Sequence, residues 1–191
     1  LHPIAALSNL YDFYLAIAKN THYAKQGRLS TNTYAAKADS LFKKDAEITN
    51  YYNKILANGK WDHMMDQTHI GYNSWQQPDK NIMPKTMIIT NAATAFGLAI
   101  EGNELFWTGK TTVDKPFPAF SILTNKTHYV ELFKTGPAEL KYTIKAAEFI
   151  VLTDKKGELT DDKRIYLAVD WSKAPKGNTN NEIVFSGSDG S

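Results

Sequence analysis

The 191-residue chain contains no cysteine, which excludes disulfide bonds, thiol catalysis and cysteine-based zinc sites. Its net charge is only +2 and its lysines are scattered among acidic residues, so neither a basic face for nucleic acid nor an acidic tail is indicated. No apolar run is long enough to form a transmembrane helix. The composition that remains, with 42% hydrophobic and 22% charged residues, is typical of a folded protein of one large or two small domains.

Both ends of the chain predict a segment taken from a longer protein. Residues 1–3 (LHP) lack an initiator Met, and residues 186–191 (SGSDGS) form a flexible polar run. Any targeting signal would then be missing from the sequence. The lack of cysteine fits a bacterial protein outside the cytoplasm, so we expect a periplasmic or secreted location.

The first part of the chain, up to about residue 82, has helical spacing. Pro3 suits the first turn of a helix, and Gly27 suits its end. Apolar residues at steps of three and four form the stripe expected to face the core, and they are Ile4, Leu7, Leu10, Tyr11, Tyr14, Leu15 and Ala18.

A second helix is predicted from about residue 31 to Asn58 and Gly59. Ser30 or Thr31 can cap its N-terminus, and about 26 residues give roughly 40 Å at 1.5 Å per residue. Its predicted seam is Tyr34, Ala38, Leu41, Asp45, Ile48, Tyr52 and Ile55. Two such helices form an αα-hairpin, which cannot bury both of its own sides. We therefore expect further helices or a neighbouring domain to cover it.

Asp45 interrupts this seam with a carboxylate. A lone charge in an apolar seam usually reaches the surface or pairs with a cation. We expect Asp45 to lie at the edge of the stripe and to pair with a lysine or with Arg28. No second residue supports a functional role for it.

After residue 82 the hydrophobic period changes to two. Apolar residues alternate with polar or small ones in four runs, at residues 96–100, 129–133, 140–145 and 165–170. Turn signals separate the runs at residues 101–103, 135–137, 155–157 and 175–178. The pattern predicts an antiparallel β-sandwich of about seven or eight strands. The predicted fold class is α+β, with an N-terminal α-helical bundle or hairpin at residues 1–82 and the sandwich at residues 83–191.

Residues 61–78 (WDHMMDQTHIGYNSWQQP), here named the junction segment, have the most unusual composition. They contain two Trp, one Tyr, two His, three Gln and no Val or Leu. Such a set of rings and hydrogen-bonding groups could recognise a sugar or seal one domain against another. Trp61, Tyr72 and Trp75 are the rings that could stack on a pyranose. Burial at an interface is the favoured interpretation, because Trp is usually packed.

Three residues of the junction segment, His63, Asp66 and His69, are spaced three and three. On a helix His69 would lie well round from the other two, so a metal site would require a loop and further ligands. We expect these side chains to hydrogen-bond the loop to itself instead. Asp62 and Asp66 could approach each other, but nothing in the sequence fixes their separation for glycoside hydrolysis. We therefore predict no catalytic residue, no metal and no cofactor in this chain.

Two further tryptophans, Trp107 and Trp171, lie near the ends of predicted strands. Most such residues fill the core of a sandwich, and an exposed carbohydrate platform is the alternative. A stand-alone carbohydrate-binding or cell-surface interaction module would use these rings or those of the junction segment.

The junction segment and its flanks resemble glycoside hydrolase family 115, whose members are xylan α-1,2-(4-O-methyl)-glucuronosidases. The most specific stretch is residues 63–72 (HMMDQTHIGY). Similar stretches occur at residues 23–28, 41–42, 49–53, 59–62, 75–78, 81–84, 101–102, 169–171 and 174–175. The resemblance extends over nearly the whole chain and is looser in the sandwich half.

The resemblance implies a large parent enzyme whose catalytic groups belong chiefly to a (β/α)₈-like barrel that this chain lacks. The chain would be a non-catalytic accessory or scaffold region. Its partners would be the missing catalytic domains, glucuronoxylan bound through the parent enzyme, and a second copy in a homodimer. The residues expected to border the sugar site or the domain junction are Trp61, His63, Asp66, His69, Tyr72 and Trp75.

Overall fold

The computed structural model describes residues 1–72, 78–110 and 117–191. Within these residues two helices precede eight strands in two antiparallel sheets, which confirms the α+β class. The chain divides into two compact units. The helical unit comprises Leu1–Lys25 and Ser30–Ile89, and the β unit comprises Gln26–Leu29 and Thr90–Ser191. No helix in the described ranges is long and apolar enough to cross a membrane.

Helix α1 (His2–Lys25) and helix α2 (Thr31–Asn50) form a hairpin. Pro3 lies in the first turn of α1, where its missing N–H costs nothing. The chain turns after α1 at Gly27, whose φ of +68° suits a residue without a Cβ atom. The predicted side-chain cap of α2 is wrong, because Ser30 has a helical backbone and its side chain makes no capping hydrogen bond.

The buried face of α1 differs from the predicted one. Phe13 and Ala16 form the core of the helical unit together with Ala38 of α2. The prediction failed because α1 carries apolar residues on two faces, and α2 packs on the face that carries Phe13 and Ala16. The large apolar side chains left exposed, here named the apolar stripe of α1, are Ile4, Leu7, Tyr11, Tyr14 and Leu15.

Helix α2 also ends differently from the prediction. A π-helical turn (Tyr51–Ile55) and a 3₁₀ turn (Leu56–Gly59) follow it. Ala57 and Asn58 have φ values of 51° and 56°, so the regular helix stops before them. Asn53 within the π-helical turn is buried and contacts the junction segment, which fits the tendency of such turns to position functional or structural side chains.

The eight strands of the β unit form two sheets with a common core. The strands are β1 (Phe96–Ile100), β2 (Phe106–Thr108), β3 (His128–Lys134), β4 (Lys141–Lys145), β5 (Ile150–Leu152), β6 (Lys156–Glu158), β7 (Lys163–Val169) and β8 (Val184–Gly187). One sheet has the order β2-β1-β3-β7-β5 and the other β6-β4-β8. Leu132, Tyr142 and Leu167 are among the side chains buried between them. The four alternating runs of the sequence are β1, β3, β4 and β7.

One predicted turn of the sandwich is wrong. Residues 155–157 were expected to form a turn, but Lys156 begins β6, which pairs with β4. Gly157 lies opposite Tyr142, and a Cβ atom at residue 157 would lie 3.1 Å from the Tyr142 hydroxyl oxygen. A glycine therefore marks a close approach inside this short strand.

A segment from between the two helices, Gln26–Leu29, belongs to the β unit. The backbone N–H of Leu29 donates to the carbonyl oxygen of Lys134 at 2.9 Å, at the end of β3. The side chains of Gln26 and Arg28 are both buried, and the Nε–H group of Arg28 donates to Gln26 Oε1. The segment therefore contributes side chains and a backbone bond to the sheet.

Arg28 is a buried cation in the β unit, only 1% exposed. Its guanidinium lies 4.4 Å from the centre of the Phe133 ring. It pairs with Glu131 at 3.0 Å and with Asp162 at 3.1 Å. Two carboxylates and an aromatic face thus compensate for the loss of water around the charge.

Gly97 of β1 lies against the fully buried ring of Phe133. A Cβ atom at residue 97 would lie 2.2 Å from ring atom Cε2. Gly97→Ala is therefore expected to lower the free energy of unfolding of the β unit by about 1–3 kcal/mol, the usual cost of overpacking. Urea unfolding followed by amide exchange in β1 and β3 measures this loss. The double variant with Phe133→Leu should recover part of it, and an unchanged midpoint for Gly97→Ala would contradict the expectation.

Candidate functional site

The candidate site of the helical unit centres on an ion pair between α2 and the junction segment. Asp45 projects from α2, and its carboxylate is almost inaccessible to solvent. Nε2 of His69 lies 2.9 Å from both carboxylate oxygens of Asp45. Nδ1 of His69 lies 3.0 Å from the carbonyl oxygen of Gln67. Both ring nitrogens therefore face oxygen acceptors, and only the doubly protonated imidazolium donates to both.

The pKa of His69 agrees with this protonation state. Partial burial lowers the pKa, but the Gln67 carbonyl and the Asp45 carboxylate raise it above the ordinary value overall. An imidazolium with both N–H groups engaged has no lone pair for a substrate proton or a metal ion. The arrangement is therefore suited to holding the junction segment on α2 rather than to acid–base catalysis.

The position of Asp45 corrects the sequence prediction. Asp45 was expected at the edge of the stripe with a lysine or Arg28 as its partner, but it is buried and pairs with His69. Arg28 pairs with carboxylates of the β unit instead. Helical periodicity identifies the seam but carries no information on which loop returns over it.

Asn81 also binds the part of the junction segment that contains His69. Its Oδ1 accepts the backbone N–H groups of His69 at 2.8 Å and Ile70 at 3.0 Å. The backbone N–H of Ile82 donates to the carbonyl oxygen of Ile70 at 3.2 Å. The Asn81 side chain also reaches Asp45, with Nδ2 at 3.4 Å from Oδ2. Sequence reasoning missed this asparagine, because one amide beside an irregular segment gives no pattern.

His63 and Asp66 form a second, separate group. Nδ1 of His63 lies 2.6 Å from Asp66 Oδ2, and Asn53 donates to Asp66 Oδ1 at 2.7 Å. Asn53 also accepts the backbone N–H of Met65 at 3.0 Å. The predicted bonding of the loop to itself occurs between His63 and Asp66 and between His69 and Gln67, and His69 in addition pairs with Asp45 of α2. Over residues 1–72, 78–110 and 117–191, no cluster of three His, Cys, Asp or Glu side chains could hold a metal ion.

Asp62 and Asp66 do not form a carboxylate pair. Asp62 binds Lys54 Nζ at 2.6 Å and accepts the backbone N–H of His63 at 2.9 Å. The hydrogen bond from Lys54 lowers the pKa of Asp62. Asp62 therefore binds Lys54 and the His63 backbone, whereas Asp66 binds Asn53 and the His63 ring.

The described rings of the junction segment are exposed. Trp61 is 38% exposed with Lys60 Nζ at 4.9 Å from the centre of its ring, and Tyr72 is 45% exposed. Burial of these two rings against a further domain therefore stays a prediction. Trp75 lies outside the described residues.

The two tryptophans of the β unit have different surroundings. Trp107 in β2 packs partly buried against the core between the sheets. Nε1 of Trp171 donates to Asn125 Oδ1 at 3.0 Å. Neither forms a flat, fully exposed platform, so they are weak candidates for binding a polysaccharide.

No protein-family model matches the chain, and the search of curated proteins also finds no match. The relation to glycoside hydrolase family 115 therefore stays a prediction from the sequence. The geometry supports a structural role for Asp45, His69 and Asn81, and leaves Trp61 and Tyr72 accessible.

The His69 ion pair makes the stability of the helical unit dependent on pH. Because the pKa of His69 is raised in the folded protein, the pair stabilises fully below about pH 6.5, the usual histidine pKa. The stabilisation is lost as the pH rises through the folded pKa. An NMR titration of the His69 ring should give a midpoint above 6.5. His69→Gln should remove this step from the pH profile of unfolding, and a His69 midpoint at or below 6.5 would contradict the assignment.

Proposed function

We propose that this chain is the non-catalytic accessory region of a glycoside hydrolase family 115-like α-glucuronidase that acts on glucuronoxylan. The sequence of residues 63–72 suggests the family, and the structural observation that supports the role is the apolar stripe of α1. Ile4, Leu7 and Tyr11 are 70%, 53% and 70% exposed. A row of large apolar side chains along one helix is the kind of surface that packs on a neighbouring domain.

The state of the polar residues agrees with a role outside catalysis. Both nitrogens of His69 are engaged, and Asp62 and Asp66 are each held by hydrogen bonds or ion pairs with neighbouring residues. Within the described part of the junction segment, no nucleophile lies beside a free base. The chain alone is expected to release no 4-O-methylglucuronic acid from glucuronoxylan.

The reading frame that encodes the chain tests the proposal most directly. Several hundred codons upstream of Leu1 that encode a barrel domain would support an accessory region. A start codon immediately before Leu1 would contradict it.

A pair of substitutions then tests the docking role of α1 in the full-length enzyme. Leu7→Asp is expected to lower its melting temperature, because the charge would be buried against the neighbouring domain. Ala36→Asp on the exposed side of α2 is the matched control and should have little effect. In the isolated chain both substitutions should change the unfolding free energy by less than about 0.5 kcal/mol. Equal melting temperatures of the two full-length variants would count against the proposal.

A second candidate function is a carbohydrate-binding module, favoured by the exposure of Trp61 and Tyr72. Exposed rings can stack on the C–H face of a pyranose. Calorimetry with glucuronoxylan oligosaccharides separates the two functions. Saturable binding that disappears in Trp61→Ala and persists in Tyr51→Ala, an exposed ring outside the junction segment, would favour the module. Absence of heat with the wild-type chain would favour the accessory region.

A further inference from the structure

Residues 81–89 run through the helical unit without helix or strand structure. Two asparagines of the hairpin, Asn20 of α1 and Asn32 of α2, hold the backbone of this segment. They bind alternate residues, Met87 and Ile89. Contacts to every second residue on one edge are those of an extended chain.

Asn20 makes a bidentate contact with the backbone of Met87. Its Oδ1 accepts the Met87 N–H at 2.8 Å, and its Nδ2 donates to the Met87 carbonyl at 2.9 Å. The same Nδ2 donates to the carbonyl oxygen of Thr31 at 2.9 Å. With the segment in place Asn20 is fully buried, and the bond to Thr31 ties its amide to the start of α2. The two helices thus supply both the asparagine and one of its partners.

Asn32 repeats the arrangement two residues further along. Its Oδ1 accepts the Ile89 N–H at 2.8 Å, and its Nδ2 donates to the Ile89 carbonyl at 2.8 Å. Each asparagine pairs with the backbone as a neighbouring β-strand would. Main-chain groups are the same in every residue except proline, so these contacts are independent of side-chain identity.

The apolar side chains of the segment differ in their burial. Met83 packs on the core formed by Phe13, Ala16, Ala38 and Ile70. Met87 and Ile88 are 45% and 59% exposed. The hairpin therefore packs its core on the side chain of Met83 and binds the backbones of Met87 and Ile89, four and six residues later.

We propose that the α1–α2 hairpin is a binding groove for an extended peptide, filled in this chain by its own residues 83–89. The groove accepts a peptide in trans that has an apolar side chain at the position of Met83 and free N–H groups at the positions of Met87 and Ile89. Main-chain bonding gives the affinity and the single apolar anchor gives the register, as in other modes of extended-peptide recognition. This inference is independent of the proposed enzymatic family.

The full 191-residue chain tests the groove with a labelled peptide of residues 81–90 (NIMPKTMIIT). In the wild-type protein the tethered segment competes at an effective concentration in the millimolar range, so the peptide should bind weakly. The variant Met87→Pro/Ile89→Pro lacks both N–H donors. Fluorescence anisotropy should show peptide binding at least about tenfold tighter in this variant than in the wild type.

Three controls identify the contacts. Met87→Ala/Ile89→Ala keeps both N–H groups and should bind as weakly as the wild type. Adding Asn32→Ala to the proline variant should weaken binding at least about tenfold, since a bidentate pair is lost, whereas adding Asn50→Ala, an exposed asparagine of α2, should not. A peptide with proline at the positions of Met87 and Ile89 should not bind. Equal binding of both peptides, or no binding to a folded proline variant, would overturn the proposal.

If circular dichroism shows that the proline variant is unfolded, amide exchange in the wild type provides the test. Peptide at millimolar concentration should displace the tethered segment and accelerate exchange of the Met87 and Ile89 amides. The proline-substituted peptide should leave both rates unchanged. Rates that do not respond to the unsubstituted peptide would overturn the proposal.

Discussion

Replacing Arg28 with methionine is expected to lower the free energy of unfolding of the β unit by about 2–3 kcal/mol, because it removes a buried cation from two partly buried carboxylates and leaves Glu131 with only the more exposed Arg164. Arg28 is the shared partner of Glu131 and Asp162, whose side chains are 19% and 20% exposed. The substitution also removes the cation above the Phe133 ring. Amide exchange in β3 and β7 as a function of urea measures the loss.

Arg164→Met is the matched control for this change. Arg164 also pairs with Glu131, at 2.7 Å, but its side chain is 44% exposed, so its loss should cost only about 0–1 kcal/mol. If both methionine variants lowered the free energy of unfolding by the same amount, the burial of Arg28 would not explain its larger expected contribution. A cycle that combines each variant with Glu131→Gln measures the two couplings separately.

Lowering the pH should reproduce part of the loss of stability caused by Arg28→Met, because it protonates Glu131. Burial raises the pKa of Glu131, but the hydrogen bond from Arg164 and the charge of Arg28 lower it overall. Stability from Glu131 is therefore present above its ordinary pKa of 4.5 and is lost as the pH falls through the folded value. In Arg28→Met this acid dependence should be weaker.

Replacing His69 with alanine is expected to lower the free energy of unfolding of the helical unit by about 2–3 kcal/mol, since it leaves the Asp45 carboxylate without its cation. Asp45 is 5% exposed in its side chain and His69 is 31% exposed, so water can compensate for part of the loss. Urea unfolding at pH 6, followed by amide exchange in α2, measures the change.

His63→Ala is the matched control, because the His63–Asp66 pair is 76% and 52% exposed and should leave the unfolding midpoint nearly unchanged. The double variant Asp45→Leu/His69→Met should be more stable than His69→Ala, as it removes the buried charge altogether. If His69→Ala and His63→Ala unfolded at the same urea concentration, the ion pair of His69 would not stabilise the unit.

The sequence predicted the structure best for strands that have a single apolar side. The alternation in β3 and β4 predicted strands whose inward residues are Leu132 and Tyr142, because a period of two has only one way to bury its apolar side. Helix α1 was harder, since Phe13 and Leu7 lie on different apolar faces and only the partner helix decides between them. The π-helical turn after α2 could not be predicted, because its apolar residues have the spacing of an ordinary α-helix.

The polar contacts could not be predicted from local spacing. His69 lies 24 residues from Asp45, and Met87 lies 67 residues from Asn20. An asparagine that binds a distant backbone has no side-chain partner to mark it in the sequence. The junction segment was recognised by composition, but the partner of its histidine depends on the path by which the chain returns to α2.

The position of Gln26–Leu29 has a consequence for dividing the chain. A protein that begins at Thr90 would contain all eight described strands yet lack Arg28, the buried partner of Glu131 and Asp162. In synthesis from the N-terminus, Arg28 emerges 134 residues ahead of Asp162. Such distant pairing slows folding, because the loop must close before the contact forms. The five-stranded sheet therefore cannot complete its folding until Asp162 and β7 have been made.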